Sequence, residues 1–299
     1  MKNQYCGDVG DYGKYGLLRY FANKGIKVGI NWYLTEDDGS NDGKFITYLE
    51  KEHEREYDPV LFDVLKEIVR QENKNIAMIE AANVIEEAIF HYDLLRSKDL
   101  ETANERIKGR KVWHEKALNT LEKAELVFAD PDNGIIGSKT VKDKEAEKYI
   151  LHSEIVDYYN RGQNVFYYCQ KARRTSEQWE ATKAEMQTYL PEAKLCVLTY
   201  HRGTQRSYIF VIHPENYKKY MNIIYDFLRT SWGKLFTEEY INGKNPAAQQ
   251  KGNKLEIELE NDVKMYLNTL EDGGVKIEFS DQKNIFTKMK ADDFARYFR

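Results

Sequence analysis

Two short acidic stretches hold the residue types best able to do chemistry. Asp130-Pro131-Asp132-Asn133-Gly134 directly follows the apolar run Glu125 to Ala129. Glu36-Asp37-Asp38-Gly39, with Asp42 beyond it, directly follows the β-branched and aromatic run Lys27 to Thr35. Carboxylates just past strand ends stand where open α/β sheets bind ligands. As hydrogen-bond acceptors, Glu36, Asp37 and Asp38 around Gly39 suit hydroxyl and ammonium groups and repel phosphate, which points away from a dinucleotide. As hard oxygen donors, Asp37, Asp130 and Asp132 suit Mg²⁺ or Mn²⁺ and the hydrolysis of a phosphoester, as in a phosphoesterase or nuclease. The plainest alternative is a solvated turn whose side chains cap the next helix, on a sheet that only binds a nucleotide or a partner.

Other residues extend these options. Lys14 and Arg19 can meet an acidic ligand, Tyr168 at a strand end can stack on a base, and Arg202 and Arg206 in a turn can hold a phosphate. The six histidines form no metal-binding pair. Cys6, Cys169 and Cys196 are too few and too scattered for a disulfide framework or a zinc site. Serine-hydrolase elbow, phosphate-binding loop and dinucleotide fingerprint are all missing, which demotes serine-hydrolase, NTPase and dehydrogenase readings.

The elements that must position these residues follow from periodicity and punctuation. A helix is expected over the segment closing at Gly25, then a strand over Lys27 to Thr35. Phe45 to Glu56 and Pro59 to Arg70 read as helices, Ile76 to Ile79 and Ala88 to Tyr92 as short strands. Residues 98 to 124 read as a helix with Val112, Leu118 and Leu121 inward. After the strand at Glu125 to Ala129, a charged helix runs to Asn160, then come a strand at Asn164 to Gln170 and a helix from Ser176 to Tyr189. This alternation implies parallel pairing through right-handed crossovers. Lys194 to Tyr200 and Ser207 to Pro214 are then two strands only six residues apart, too close for a crossover helix, so they pair antiparallel. A helix follows at Asn216 to Thr230.

An open, mostly parallel α/β sheet that ends in an antiparallel hairpin is the arrangement of adenosylmethionine-dependent methyltransferases. Residues 1 to 241 are expected to form that domain. Residues 242 to 252 read as a linker, and 253 to 299 as a small β-rich appendage with strands at Leu255 to Leu259 and Val275 to Phe279, a turn at Gly273-Gly274 and a closing helix at Ala291 to Phe298.

Composition sets the outer limits. Of the 299 residues 41% are hydrophobic and 31% charged, a globular balance. No apolar stretch is long enough to span a bilayer and no secretory signal pattern opens the chain, so a cytoplasmic protein without a membrane partner is expected. A net charge of −4 argues against a surface coated for nucleic acid but leaves room for a local basic groove, such as one lined by Lys171, Arg173 and Arg174.

The order of GDVGDYGKYGLLR, a strand with a Gly-containing loop, Asp-Pro after a strand, the aromatic strand NVFYYCQ and the hairpin LTYHRGTQRSYIFVIHP resembles the bacterial ribosomal-RNA adenine methyltransferases that modify the exocyclic amine. It also resembles a larger uncharacterised bacterial group with the same GDYGKYGLLR and DPDNG pieces. The resemblance spans roughly residues 1 to 240 and rests on order and spacing more than on identity. It implies S-adenosylmethionine as cofactor, no metal, and a nucleic-acid or nucleotide-like substrate. Asp8 to Arg19 then matches the N-terminal segment whose lysine, here Lys14, lies near the cofactor. Thr35 to Gly43 takes the place of the Gly-rich cofactor loop, with Glu36, Asp38 and Lys14 lining the pocket. Asp130-Pro131 matches the first half of the catalytic Asp-Pro-Pro-Tyr motif, while Asp132-Asn133 stands where that family has Pro-Tyr. Asp130 would orient or deprotonate the accepting amine and the Asn133 amide would help to fix it.

Overall fold

A computed structural model describes residues 1–39, 43–137 and 139–241, together with strands at 248–251, 254–258, 264–269, 274–279 and 288–290. The chain divides into two compact units, Met1–Glu239 and Tyr240–Arg299.

In the first unit the helices are α1 (Val9–Asn23), α2 (Pro59–Val69), α3 (Ile76–Ala81), α4 (Ala103–Thr120), α5 (His152–Asn160), α6 (Ser176–Ala184), α7 (Met186–Tyr189) and α8 (Tyr217–Arg229). The strands are β1 (Val28–Asn31), β2 (Ile89–His91), β3 (Leu126–Ala129), β4 (Gly134–Ile135), β5 (Tyr149–Ile150), β6 (Asn164–Cys169), β7 (Lys194–Tyr200), β8 (Arg206–Ile212) and β9 (Phe236–Glu239).

Local chemistry starts the helices. Asp8 accepts the Asp11 amide at 2.8 Å to open α1, and Asp58 accepts the Leu61 amide with Pro59 as the first residue of α2. Thr102 with Glu105 and Thr175 with Gln178 form reciprocal capping boxes on α4 and α6. Gly25, at φ 78, turns the chain off the end of α1.

Seven strands form one sheet in the order β2-β1-β3-β6-β8-β7-β9. β2, β1, β3 and β6 are parallel, and β8 lies between β6 and β7 antiparallel to both. β7 therefore runs with the parallel set, and only β8 and β9 oppose it. The hairpin is folded into the sheet, which makes this an open, mostly parallel α/β sheet with an antiparallel hairpin, as expected.

Register supplies the core. Ile30, Phe128, Phe166 and Phe210 are successive cross-strand neighbours on β1, β3, β6 and β8. Phe166 stands 4.6 Å, ring centre to ring centre, from both Phe128 and Phe210, and Phe21 of α1 covers this ladder. All four phenylalanines are fully buried. Each contributes about 1.5–3 kcal/mol by burial, and each ring pair about 0.5–1.5 kcal/mol more.

Several expected elements differ. Residues 47–50 and 52–56 are 3-10 turns and not one helix. Ile76–Ala81 is a helix where a strand was expected, because Ile76 and Ile79 are one helical turn apart and both buried. The strand from Lys27 stops at Asn31, since Tyr33 turns to φ 46. Between Asp130 and Asn160 only the last nine residues are α-helical among the described ones; before them come a 3-10 turn at Lys144–Lys148 and the separate two-stranded ladder of β4 and β5. The expected helix at 176–189 breaks at Glu185 into α6 and α7. On α4 the inward face carries Arg110, Trp113, His114 and Ala117, while Val112 is 54% exposed. That face is polar because Arg110 is paired with the buried Glu154, a pattern that apolar periodicity does not register.

The second unit is an antiparallel sheet of five strands in sequence order, β10 (Ala248–Lys251), β11 (Lys254–Glu258), β12 (Lys264–Thr269), β13 (Gly274–Phe279) and β14 (Lys288–Lys290). β10 occupies part of the stretch expected to be a linker. The expected closing helix at 291–298 lies outside the described residues.

Candidate active site at the carboxyl rim of the sheet

The floor of the site is set by strand register. Asn31 pairs with Ala129 and Ala129 with Tyr167, so β1 and β3 end level and β6 runs two residues beyond them, to Cys169. Asp130 leaves β3 with its amide still donating to the Asn31 carbonyl at 3.0 Å. β8 runs the opposite way, and its first residue, Arg206, comes to the same rim. A cavity of about 370 Å³ opens there.

α1 forms one wall through a repeat of three. Asp8, Asp11 and Lys14 follow each other along the helix, and Lys14 Nζ reaches Asp11 at 2.6 Å and Asp130 at 2.7 Å. Asp11 also accepts the Tyr15 hydroxyl and the Gly7 amide. A second row, Gly10, Gly13 and Gly16, lets the helix approach Arg206, Tyr200 and Trp232 so closely that any side chain on these glycines would overlap them. The Arg206 guanidinium lies over Gly10 and pairs with Asp8 at 3.4 Å.

The charges are finely balanced. Burial pulls the Lys14 ammonium down, but Asp11 and Asp130 beside it outweigh that and hold it above its ordinary value. Burial pushes the Asp130 carboxyl up, and Lys14 only partly reverses the effect. Asp8 is likewise raised by burial and by Asp11. One ammonium shared by two buried carboxylates gives this pattern, and it leaves Asp130 a better proton acceptor than a solvated aspartate.

The N-terminal residues bridge the two acidic stretches. Lys2 Nζ lies 2.7 Å from Asp38 and 3.8 Å from Asp132. Asp132 is also 2.7 Å from the Met1 ammonium, at ion-pair distance but without hydrogen-bond geometry. That ammonium donates to the carbonyls of Tyr33 and Asp130. Asn133 accepts from the Gln170 amide at 3.2 Å, and its own backbone amide donates to the Lys148 carbonyl.

Thus Asp130, Pro131, Asp132 and Asn133 line the cavity together, with Lys14, Asp38, Tyr168 and Arg206. Glu36, Asp37 and Gly39 do not. Glu36 is exposed beside Arg96, Asp37 is held by the Gln4 amide, and Gly39 faces open space. The loop turns them outward because Lys2 and Gln4 grip it at Asp38 and Asp37. Asp37 is therefore not brought to Asp130 and Asp132 as a third metal ligand. Among the described residues no group of three or more His, Cys, Asp or Glu is placed to hold a metal. Arg19 and Arg202 are also spent elsewhere, on Asp58 and Glu54.

Sequence reasoning missed Lys2, Tyr5, Asp11, Phe45, Lys148 and Tyr208, all on the cavity. The three-residue spacing of Asp8, Asp11 and Lys14 was a usable signal for one of them. Tyr208 was not foreseeable: it lines the cavity, and its buried hydroxyl has no hydrogen-bond partner among the described residues.

The chain matches no family model and no curated protein. Among solved structures it is similar to protein LPL1258 from Legionella pneumophila str. Philadelphia 1, described under family-model DUF519, with a TM-score of 0.43 and 13% identity over 80% of this chain and 98% of that one. No helix among the described residues is long and apolar enough to cross a membrane.

Proposed function

We propose that the chain is an adenosylmethionine-dependent methyltransferase acting on nucleic acid or a nucleotide-like substrate. The supporting observation is Asp130: it leaves the end of β3 into a cavity at the carboxyl rim, with Pro131 behind it and Lys14 of α1 against it.

The cavity wall carries five carboxylates, Asp8, Asp11, Asp38, Asp130 and Asp132, against five cations, the side chains of Lys2, Lys14, Lys148 and Arg206 and the Met1 ammonium. Both signs suit the amino-acid end of the cofactor. Lys14 and Asp38 would hold the cofactor, with Lys2 fixing Asp38. Bound adenosylmethionine supplies an electrophilic methyl group on a sulfonium. Asp130 accepts a hydrogen bond from the substrate amine and takes the proton the nitrogen loses. Its raised proton affinity favours that step. Asn133, held by Gln170, steadies the other side of the amine.

The test is transfer of a labelled methyl group from adenosylmethionine to RNA, single-stranded DNA and free nucleosides. Incorporation is expected, and Asp130→Asn should lower it by about 10²-fold or more. Binding of the cofactor without transfer to any of these acceptors would sink the proposal.

A further inference from the structure

We infer that the second unit is an interaction surface, and that its partner is the same sheet of a second copy of this chain. The inference goes beyond the methyltransferase reading and does not rest on it.

The sheet β10 to β14 is a single layer whose register sorts its residues into two unlike faces. Leu255, Leu267 and Ile277 are matched across β11, β12 and β13, and so are Ile257, Met265 and Phe279. Matched positions, and positions two apart along a strand, share a face. The two rows therefore lie on one face, and Val275 of β13, matched with Met289 of β14, extends it. No charged residue falls at a described position of this face. The intervening rows are Glu256, Tyr266 and Glu278, then Lys254, Asn268 and Lys276. Such alternation belongs to an antiparallel sheet with one face in water and the other buried. Among the described residues this unit consists of strands alone, and a single layer cannot cover its own face.

Extent decides what covers it. Five strands about 4.8 Å apart, the longest of six residues at about 3.4 Å each, make a face roughly 20 Å by 20 Å. A helix of the eight residues expected to close the chain, 291–298, would measure about 12 Å by 10 Å and cover about a third of it. In the first unit the exposed large apolar residues stand on separate elements, among them Val60 on α2, Val112 on α4 and Tyr189 on α7, and make no face of that size. A second copy of the sheet matches it in both extent and chemistry. Two such sheets pack face to face about 10 Å apart as a sandwich. Each face presents roughly 400 Å² in projection and more in accessible area, so the pair reaches the roughly 1,000 Å² at which a specific interface begins. The contact is isologous: a two-fold axis closes it as a dimer and leaves both charged faces in water.

Sedimentation equilibrium of the full chain at micromolar concentration should give twice the chain mass of 35.2 kDa. Leu267, on the middle strand, stands at the centre of the face, and Leu267→Lys should give the single mass, because two unpaired ammonium groups cannot be desolvated there. Tyr266→Lys, one residue away on the charged face, should remain a dimer. A distance measurement that leaves the apolar face untouched covers the case in which Leu267→Lys loses the sheet. Cys6, Cys169 and Cys196 are buried, so a nitroxide attaches at Asn268→Cys on the charged face. Two such labels on the outsides of a sandwich should lie roughly 25–35 Å apart by electron double resonance. A native chain of single mass would mean that the face is covered from within its own chain, and would overturn the inference. So would a dimer that Leu267→Lys leaves intact, a dimer that Tyr266→Lys dissolves, or a dimer with no inter-label distance in that range.

Discussion

Lys14 and Asp130 meet across 116 residues of sequence, Nζ to Oδ2 at 2.7 Å, and both are buried. The pair pins the first helix to the end of the third strand. Removing the cation leaves Asp11 and Asp130, both buried, without the ammonium they share. Lys14→Met should therefore cost about 3–5 kcal/mol in urea denaturation, the range for an orphaned buried charge. Adding Asp130→Asn to it should recover part of the loss. A Lys14→Met protein as stable as the native chain would show that the pair is solvated.

The glycine row of α1 makes a second prediction. A methyl group on Gly13 would sit 2.6 Å from the Tyr200 ring, which is fully buried and cannot swing away. Helix propensity alone favours alanine by up to about 1 kcal/mol, and overpacking opposes it by about 1–3 kcal/mol. Gly13→Ala should thus lower the urea midpoint, whereas the propensity argument alone would raise it.

Stability should respond to pH through two groups of opposite sign. Burial pushes the Glu238 carboxyl up to about 7, so its contribution is complete below its ordinary 4.5 and is lost as pH rises through 7. Burial pulls His91 down from 6.5 to about 4, so its contribution is complete above 6.5 and is lost as pH falls through 4. Each is worth roughly 2 kcal/mol after solvent screening, and in the native chain they largely cancel between pH 4 and 7. Glu238→Gln should stabilise the protein at pH 8, leave it unchanged near pH 4, and expose a fall on the acid side. Parallel stability curves for variant and native chain would contradict this.

The outward turn of Glu36 separates two neighbouring carboxylates. Asp38→Asn should weaken adenosylmethionine binding by roughly tenfold, the scale of one charge-assisted hydrogen bond, while Glu36→Gln should leave it unchanged. Equal effects from the two substitutions would place the cofactor outside this cavity.

The parallel sheet was legible because strong strands such as Leu126–Ala129 stop abruptly at Asp-Pro, and because the few residues between Lys194–Tyr200 and its partner strand leave no room for a crossover. Asp130 to Asn133 were legible for the same reason, since strand ends position them whatever the loops do. The loop after β1 was not. Its composition fitted a ligand pocket, but Lys2 and Gln4, remote in sequence, decide which carboxylates face inward. Around α4 Leu121 is buried as expected but Val112 is not, because the buried face of the helix is organised by the Arg110–Glu154 ion pair and not by apolar spacing. Tyr208 could not be found from the chain alone, as an unpaired hydroxyl is a property of its surroundings.

Calorimetric titration of adenosylmethionine into metal-free protein tests the central claim most directly. Saturable binding that persists with a chelator present and weakens in Asp38→Asn is the predicted result. No heat in the native chain, or binding that appears only after Mg²⁺ or Mn²⁺ is added, would contradict it.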